Sequence, residues 1–118
     1  MSAWPTEIRL LKDRRTLIVS FDDGRAYTLP AEYLRVESPS AEVQGHHPSE
    51  KRTVPGKKLV RIERVDPVGN YAVRLVFDDG HSSGIYTWSE LDRLGHDQEL
   101  LWESYLAALA KAGLSRER

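Results

Sequence analysis

The chain has 118 residues, 40% hydrophobic and 30% charged, with 17 Lys plus Arg against 18 Asp plus Glu and no cysteine. That length allows one ordinary domain with about two-thirds of its unfolded surface buried, so the fold needs no disulfide or metal staple. The missing thiols exclude a disulfide scaffold, a thiolate metal site and a cysteine nucleophile, and the net charge of -1 argues against a whole-surface nucleic-acid binder.

No apolar run approaches the roughly 18 residues of a membrane span, and residues 1–15 lack a signal-peptide core. The expectation is a soluble, cytoplasmic protein.

Residues 6–12 alternate imperfectly, with Ile8 and Leu10 on one face, and read as a half-buried strand. Asp13-Arg14 is a short turn. Arg15–Phe21 forms a second strand, with Leu17, Val19 and Phe21 on one face and Thr16, Ile18 and Ser20 on the other. Asp22-Asp23-Gly24 then signals a hairpin, because Gly accepts positive φ and Asp tolerates it. Arg25–Leu29 returns as a third strand. Pro30 suits the first turn of a helix, so Ala31–Arg35 reads as a short helical turn. Residues 36–57 hold three prolines and two glycines, which defeat both periodicities and predict a long loop, functional or partly disordered.

Lys58–Val65 resumes strand character, and Asp66-Pro67-Val68-Gly69-Asn70 is turn chemistry. Tyr71, Val73, Leu75 and Phe77 share one face of the next strand, with Ala72, Arg74 and Val76 opposite. Asp78-Asp79-Gly80 makes a second hairpin turn and His81–Tyr86 pairs back. Thr87 and Glu90 are spaced as a reciprocal capping box for a short helix through Leu94, which Gly95 stops. Asp97 caps a last helix, Gln98–Ala112, with Leu101, Trp102, Tyr105, Leu106, Leu109 and Ala112 on an apolar stripe. Gly113 ends it, and Ser115–Arg118 is expected to fray. Leu17–Gly24 and Arg74–Gly80 resemble each other, and each precedes a short strand and a helical turn. The expected class is therefore α+β: antiparallel β-meanders in two similar hairpin-plus-short-helix units, with a C-terminal amphipathic helix, in a single domain over 1–118.

Few residues carry recognisable chemistry. The paired acids Asp22/Asp23 and Asp78/Asp79 can bind a cation, but at hairpin tips such residues commonly just make the turn. His46, His47 and His81 are the metal-ligand candidates, weak ones because adjacent histidines in a loop point apart, and no bound metal or other cofactor is expected. No Gly-x-Ser-x-Gly elbow, phosphate-cradling loop or dinucleotide fingerprint is present, so no catalytic residue is assigned. The basic cluster of Lys51, Arg52, Lys57, Lys58, Arg61 and Arg64 lacks interleaved aromatics and is diluted by Glu63 and Asp66. It does not read as a nucleic-acid site. Trp102 belongs to the core, whereas Trp88 suits either core packing or a partner-facing surface.

Three stretches together resemble one family: Glu32–His46, then Gly69–Val73 with Phe77–His81, and Gly84–Leu91. They are similar to the gamma-butyrobetaine-hydroxylase-like N-terminal domain family, over roughly residues 6–95. In the hydroxylases this domain precedes a separate iron- and 2-oxoglutarate-dependent catalytic domain, which has no counterpart in these residues, so hydroxylation is not carried over. The resemblance also implies a structural zinc held by three cysteines and a histidine, whose positions fall on Ser38, Ser40, Val43 and His81. Three of the four ligands are then missing, and zinc is not expected. Related domains occur fused to Mrp/ApbC-type ATPases that carry iron–sulfur clusters.

The expectation from all of this is a non-enzymatic interaction or accessory module whose partner is another protein or a second copy, with neither nucleic acid nor membrane involved. Its candidate surface residues are Arg35, Ser38, Ser40, His46, His81 and Trp88, around the 36–57 loop. The alternatives are a metal-handling accessory protein linked to iron or iron–sulfur cluster assembly, and a hydrolase or transferase with a deep pocket.

Overall fold

A computed structural model describes residues 4–117. The N-terminal half is a meander of Pro5–Leu10 (β1), Thr16–Phe21 (β2) and Ala26–Pro30 (β3), followed by the helix Ala31–Val36 (α1). The C-terminal half repeats the plan with Ile62–Val68 (β4), Ala72–Phe77 (β5), Ile85–Thr87 (β6) and the helix Trp88–His96 (α3). Between them lies the short helix Ala41–Gln44 (α2), and the chain finishes in Gln98–Lys111 (α4). The result is two three-stranded antiparallel sheets, ordered β1-β2-β3 and β4-β5-β6, with four helices. The class is α+β, and the two similar units read from the sequence are present.

The repeated Phe-Asp-Asp-Gly explains why the halves match. In the first turn the N–H of Phe21 donates to Arg25 and that of Gly24 to Phe21. In the second, Phe77 donates to His81 and Gly80 to Phe77. Gly24 and Gly80 adopt φ of 90° and 91°, so each loop has three residues and needs glycine at its last. Alternation then turns Leu17, Val19 and Phe21 inward with Leu29, and Leu75 and Phe77 inward with Ile62 and Tyr86, all of them buried. These residues join Ala31, Tyr33, Leu34, Leu91 and Leu94 in one core shared by both sheets. A smaller cluster of Val36, Tyr105 and Leu109 attaches α4.

Several expectations need correction. The 36–57 segment is folded rather than structureless: Ser40 caps α2 by accepting the Glu42 N–H, and a single 3-10 turn follows at Pro48–Glu50. Lys58–Val60 forms a turn, and β4 runs on through Asp66-Pro67-Val68. Pro67 is tolerated there because β4 is an edge strand, open on one side. His81–Gly84 leaves the sheet instead of pairing back, and pairing begins at Ile85. Thr87 does accept the Glu90 N–H, but Glu90 turns to Arg93 at 2.7 Å rather than back to Thr87. Asp97 makes no side-chain cap for α4.

Gly95 does not stop α3 but lies within it, where the Tyr27 ring packs so closely that a Cβ would sit 2.2 Å from Cγ. The tail is docked, not frayed, although Arg118 lies outside the described residues. Arg116 grips the buried Glu32 carboxylate with two bonds of 2.7 and 2.8 Å and lies 5.3 Å over the Trp102 ring. The backbone carbonyls of Ser115 and Arg116 accept from Gly56 and Lys58.

Candidate functional site

The departure of residues 81–84 from the sheet brings them against the segment after α1. His81 is 5% exposed and Ser38 fully buried, and they meet with Nε2 2.8 Å from Oγ. The other ring nitrogen, Nδ1, lies 3.1 Å from Glu42 Oε2. A carboxylate only accepts, so Nδ1 carries the proton, and in the neutral ring Nε2 accepts the Ser38 hydroxyl. Ser38 Oγ in turn accepts the Ser40 N–H at 3.3 Å. Ser83 Oγ donates to Glu42 Oε1 at 3.1 Å, which leaves the Ser40 hydroxyl to donate to Ser83 at 2.7 Å. Every polar hydrogen in this ring of five side chains thus has an acceptor. The ring ties residues 38–42 to residues 81–83 across 39 to 43 positions of chain.

Gly84 makes the approach possible, since a Cβ there would stand 2.5 Å from Ser38 Oγ. Tyr86 anchors the next turn of chain by donating its hydroxyl to the Leu34 carbonyl, and burial pushes that phenol well above the usual tyrosine range.

Charge surrounds the ring on one side. Asp79 Oδ2 lies 2.7 Å from both Arg35 Nε and Lys57 Nζ, and Asp79 Oδ1 accepts the His81 N–H at 3.0 Å. Burial alone would raise the Asp79 carboxyl, but Lys57, the His81 N–H and Arg35 outweigh it and hold it down at about 2. Burial, and then the Arg35 charge, lower the His81 imidazole below its ordinary value against the opposing pull of Glu42. His81 is therefore neutral at physiological pH, which leaves Nε2 able to accept from Ser38.

The arrangement has the connectivity of a Ser–His–carboxylate triad. Its serine, however, has no exposed surface and already accepts a backbone N–H. A carbonyl substrate has no open route to that hydroxyl. Nor do these residues fit the zinc of the hydroxylase domains. Ser38 and Ser40 offer hydroxyls already engaged, Val43 offers none, and the free imidazole nitrogen of His81 is taken by Ser38. Among the described residues no group of three His, Cys, Asp or Glu could hold a metal ion.

The candidate surface residues divide by burial. Ser38, Ser40 and His81 lie beneath the surface, and Arg35 is mostly covered in its pair with Asp79. His46 and His47 are exposed beside α2 and are not gathered with His81 into a ligand set. Trp88 is half-buried, with its indole N–H donating to the Asn70 carbonyl at 3.0 Å. Trp102 is likewise half-buried, packing edge-on to Tyr33. Reading the sequence missed Glu42, Ser83 and the Asp79–Lys57 pair. The one local signal, Ser40-Ala41-Glu42 as a helix cap, went unread, and nothing in the chain announces that Glu42 meets a histidine 39 residues on.

The model of the family described as gamma-butyrobetaine hydroxylase-like, N-terminal, matches residues 8–92. No curated protein matches the chain significantly. Among solved structures, one protein determined by NMR in solution is 47% identical, with a TM-score of 0.84, and the alignment covers 99% of this chain and 92% of that one. A second NMR structure is 50% identical with a TM-score of 0.83, covering 98% and 86%. A crystal structure of a DUF971-family protein of unknown function from Acidithiobacillus ferrooxidans is 44% identical with a TM-score of 0.65, covering 77% and 91%.

Proposed function

The chain belongs to the gamma-butyrobetaine hydroxylase-like N-terminal domain family, and from that premise we propose that it is a non-enzymatic accessory module that binds a protein partner through the surface of residues 45–53. The observation that carries this reading is the inward use of the polar cluster. Ser38, Ser40 and His81, the side chains best suited to chemistry, are buried and hydrogen-bonded to one another or to Glu42 and Ser83. What they support outside is a segment exposing His46, His47, Ser49, Glu50 and Arg52.

That segment is already shaped. The His46 N–H donates to Glu50 Oε1 at 2.8 Å and the Arg52 N–H to the Val43 carbonyl at 2.7 Å. Lys51 reaches back to the buried Glu37 at 2.7 Å. A preformed surface binds without the ordering cost of a flexible loop, so recognition here requires little rearrangement. Arg35, Ser38, Ser40 and His81 set its shape from beneath.

The test is affinity purification from native cells with the wild-type chain and with a His46→Ala, His47→Ala, Arg52→Glu variant. One reproducible partner, confirmed with purified components and weakened at least about tenfold by the variant, is the expected result, since surface hot spots commonly carry more than about 1 kcal/mol each. No reproducible partner, or one whose affinity the variant leaves unchanged, rejects the reading.

A further inference from the structure

α4 has a second face for which the chain itself supplies no cover. Tyr105 and Leu109 are buried on one side, with Leu101 and Trp102 packed against the core. At about 100° per residue, Leu100, Glu103, Ala107, Ala110 and Lys111 fall within roughly 60° of a line on the opposite side, centred on Ala107. All five are exposed, Leu100 by 65%. Leu114, just past the helix end, is 42% exposed. Glu103 and Lys111 have no ion-pair partner among the described residues.

The order of these residues is symmetrical about Ala107. Counting equal steps in both directions sets Ser104 opposite Ala110 and Glu103 opposite Lys111, while the counterpart of Leu100 falls at Leu114, past the helix end and beyond Gly113 with its φ of 68°. Complementarity of a stripe with its own reverse is what a two-fold, antiparallel helix pair requires, because each contact between residues i and j then occurs twice. The helix dipole accounts for Glu99 near the start of α4 and Lys111 near its end. It does not account for a leucine two-thirds exposed, nor for Glu103, which lies past the first turn.

We infer that α4 pairs antiparallel with α4 of a second copy of this chain, about a two-fold axis at Ala107. Small side chains at the crossing let the axes approach to about 8 Å. Leu100 of each copy lies toward the C-terminal end of the other's α4, and Glu103 of each faces Lys111 of the other. One helix face per copy buries less than the roughly 800 Å² per partner of a standard interface, so the dimer is weak and concentration-dependent. At the margin of this face Ser104 lines a groove shared with Lys51, Arg52 and Thr53, but Glu103 and Lys111 do not line it, and the pairing stands or falls independently of the partner-binding reading.

Sedimentation equilibrium of the full chain over a wide concentration range tests it, alongside Glu103→Lys, Lys111→Glu and the double variant. The wild-type mass should rise from one chain toward two. Each single variant places like charges opposite one another twice and should raise the dissociation constant about tenfold, and the double variant should restore it. Far-UV circular dichroism and thermal unfolding show whether each variant remains folded. A chain that stays monomeric throughout overturns the inference. So does a dimer that neither single variant weakens, or that the double variant fails to restore.

Discussion

His81 illustrates how one side chain can be decided by its neighbours. Imidazole is a metal ligand, a general base or a hydrogen-bonding brace depending on what stands at its two nitrogens. Here Glu42 and Ser38 occupy both, and burial keeps the ring neutral. The lowered value in the fold has a stability consequence whose sign is fixed by linkage. Below about pH 6.5 the unfolded chain binds a proton that the folded chain refuses, so stability present above that pH is lost as the pH falls toward the folded value. Urea midpoints measured from pH 7.5 down to pH 5.5 should fall, and His81→Gln should flatten that slope. The variant should also be less stable at pH 7.5 by about 1–3 kcal/mol, because it disturbs a buried network. A slope the same in both proteins would show that His81 does not govern it.

Gly95 shows how an element can be misread from local signals. Glycine after an apolar run is a common helix stop, and alanine is the better helix former by about 1 kcal/mol. On propensity alone Gly95→Ala should stabilise α3. The Tyr27 ring reverses that expectation, since it occupies the place of a side chain at 95 and is itself held by Asp92 at 2.9 Å and Arg25 at 3.1 Å. Gly95→Ala should therefore destabilise by about 1–3 kcal/mol, measured by chemical unfolding. Gly95→Ala paired with Tyr27→Ala should show strong non-additivity, whereas simple additivity would mean that the ring is not what excludes the methyl group.

For the molecule as a unit, the C-terminal residues close a circuit. Arg116 joins α1 through Glu32 and α4 through Trp102, while the carbonyls of Ser115 and Arg116 accept from Gly56 and Lys58 in the segment between the halves. Glu32 is buried, so losing Arg116 leaves a carboxylate without its charged partner. Arg116→Ala should cost about 2 kcal/mol, and Glu32→Gln in the same chain should recover part of it. Thermal unfolding of the two variants checks this. Equal stability of Arg116→Ala and wild type would mean that the Arg116 side chain contributes nothing. No helix among the described residues is long and apolar enough to cross a membrane.

Much of this molecule was legible in order along the chain. Alternation set the inward faces of β2 and β5, the repeated Phe-Asp-Asp-Gly announced two matching turns, and Thr87 announced the start of α3, because each depends on residues within a few positions. The family could also be read from short stretches of contiguous residues. The fate of Gly95, the docking of Arg116 and the closure of Ser38, His81 and Glu42 could not. Each depends on a partner tens of residues away, 68 positions for Gly95 and Tyr27 and 84 for Arg116 and Glu32. Local pattern carries no information about which distant groups a fold brings to hydrogen-bonding distance. The long middle segment shows the same division. Its prolines and glycines correctly ruled out a long helix or strand, but whether it stayed loose depended on Ser83, His81 and the C-terminal residues arriving from elsewhere to satisfy its polar groups.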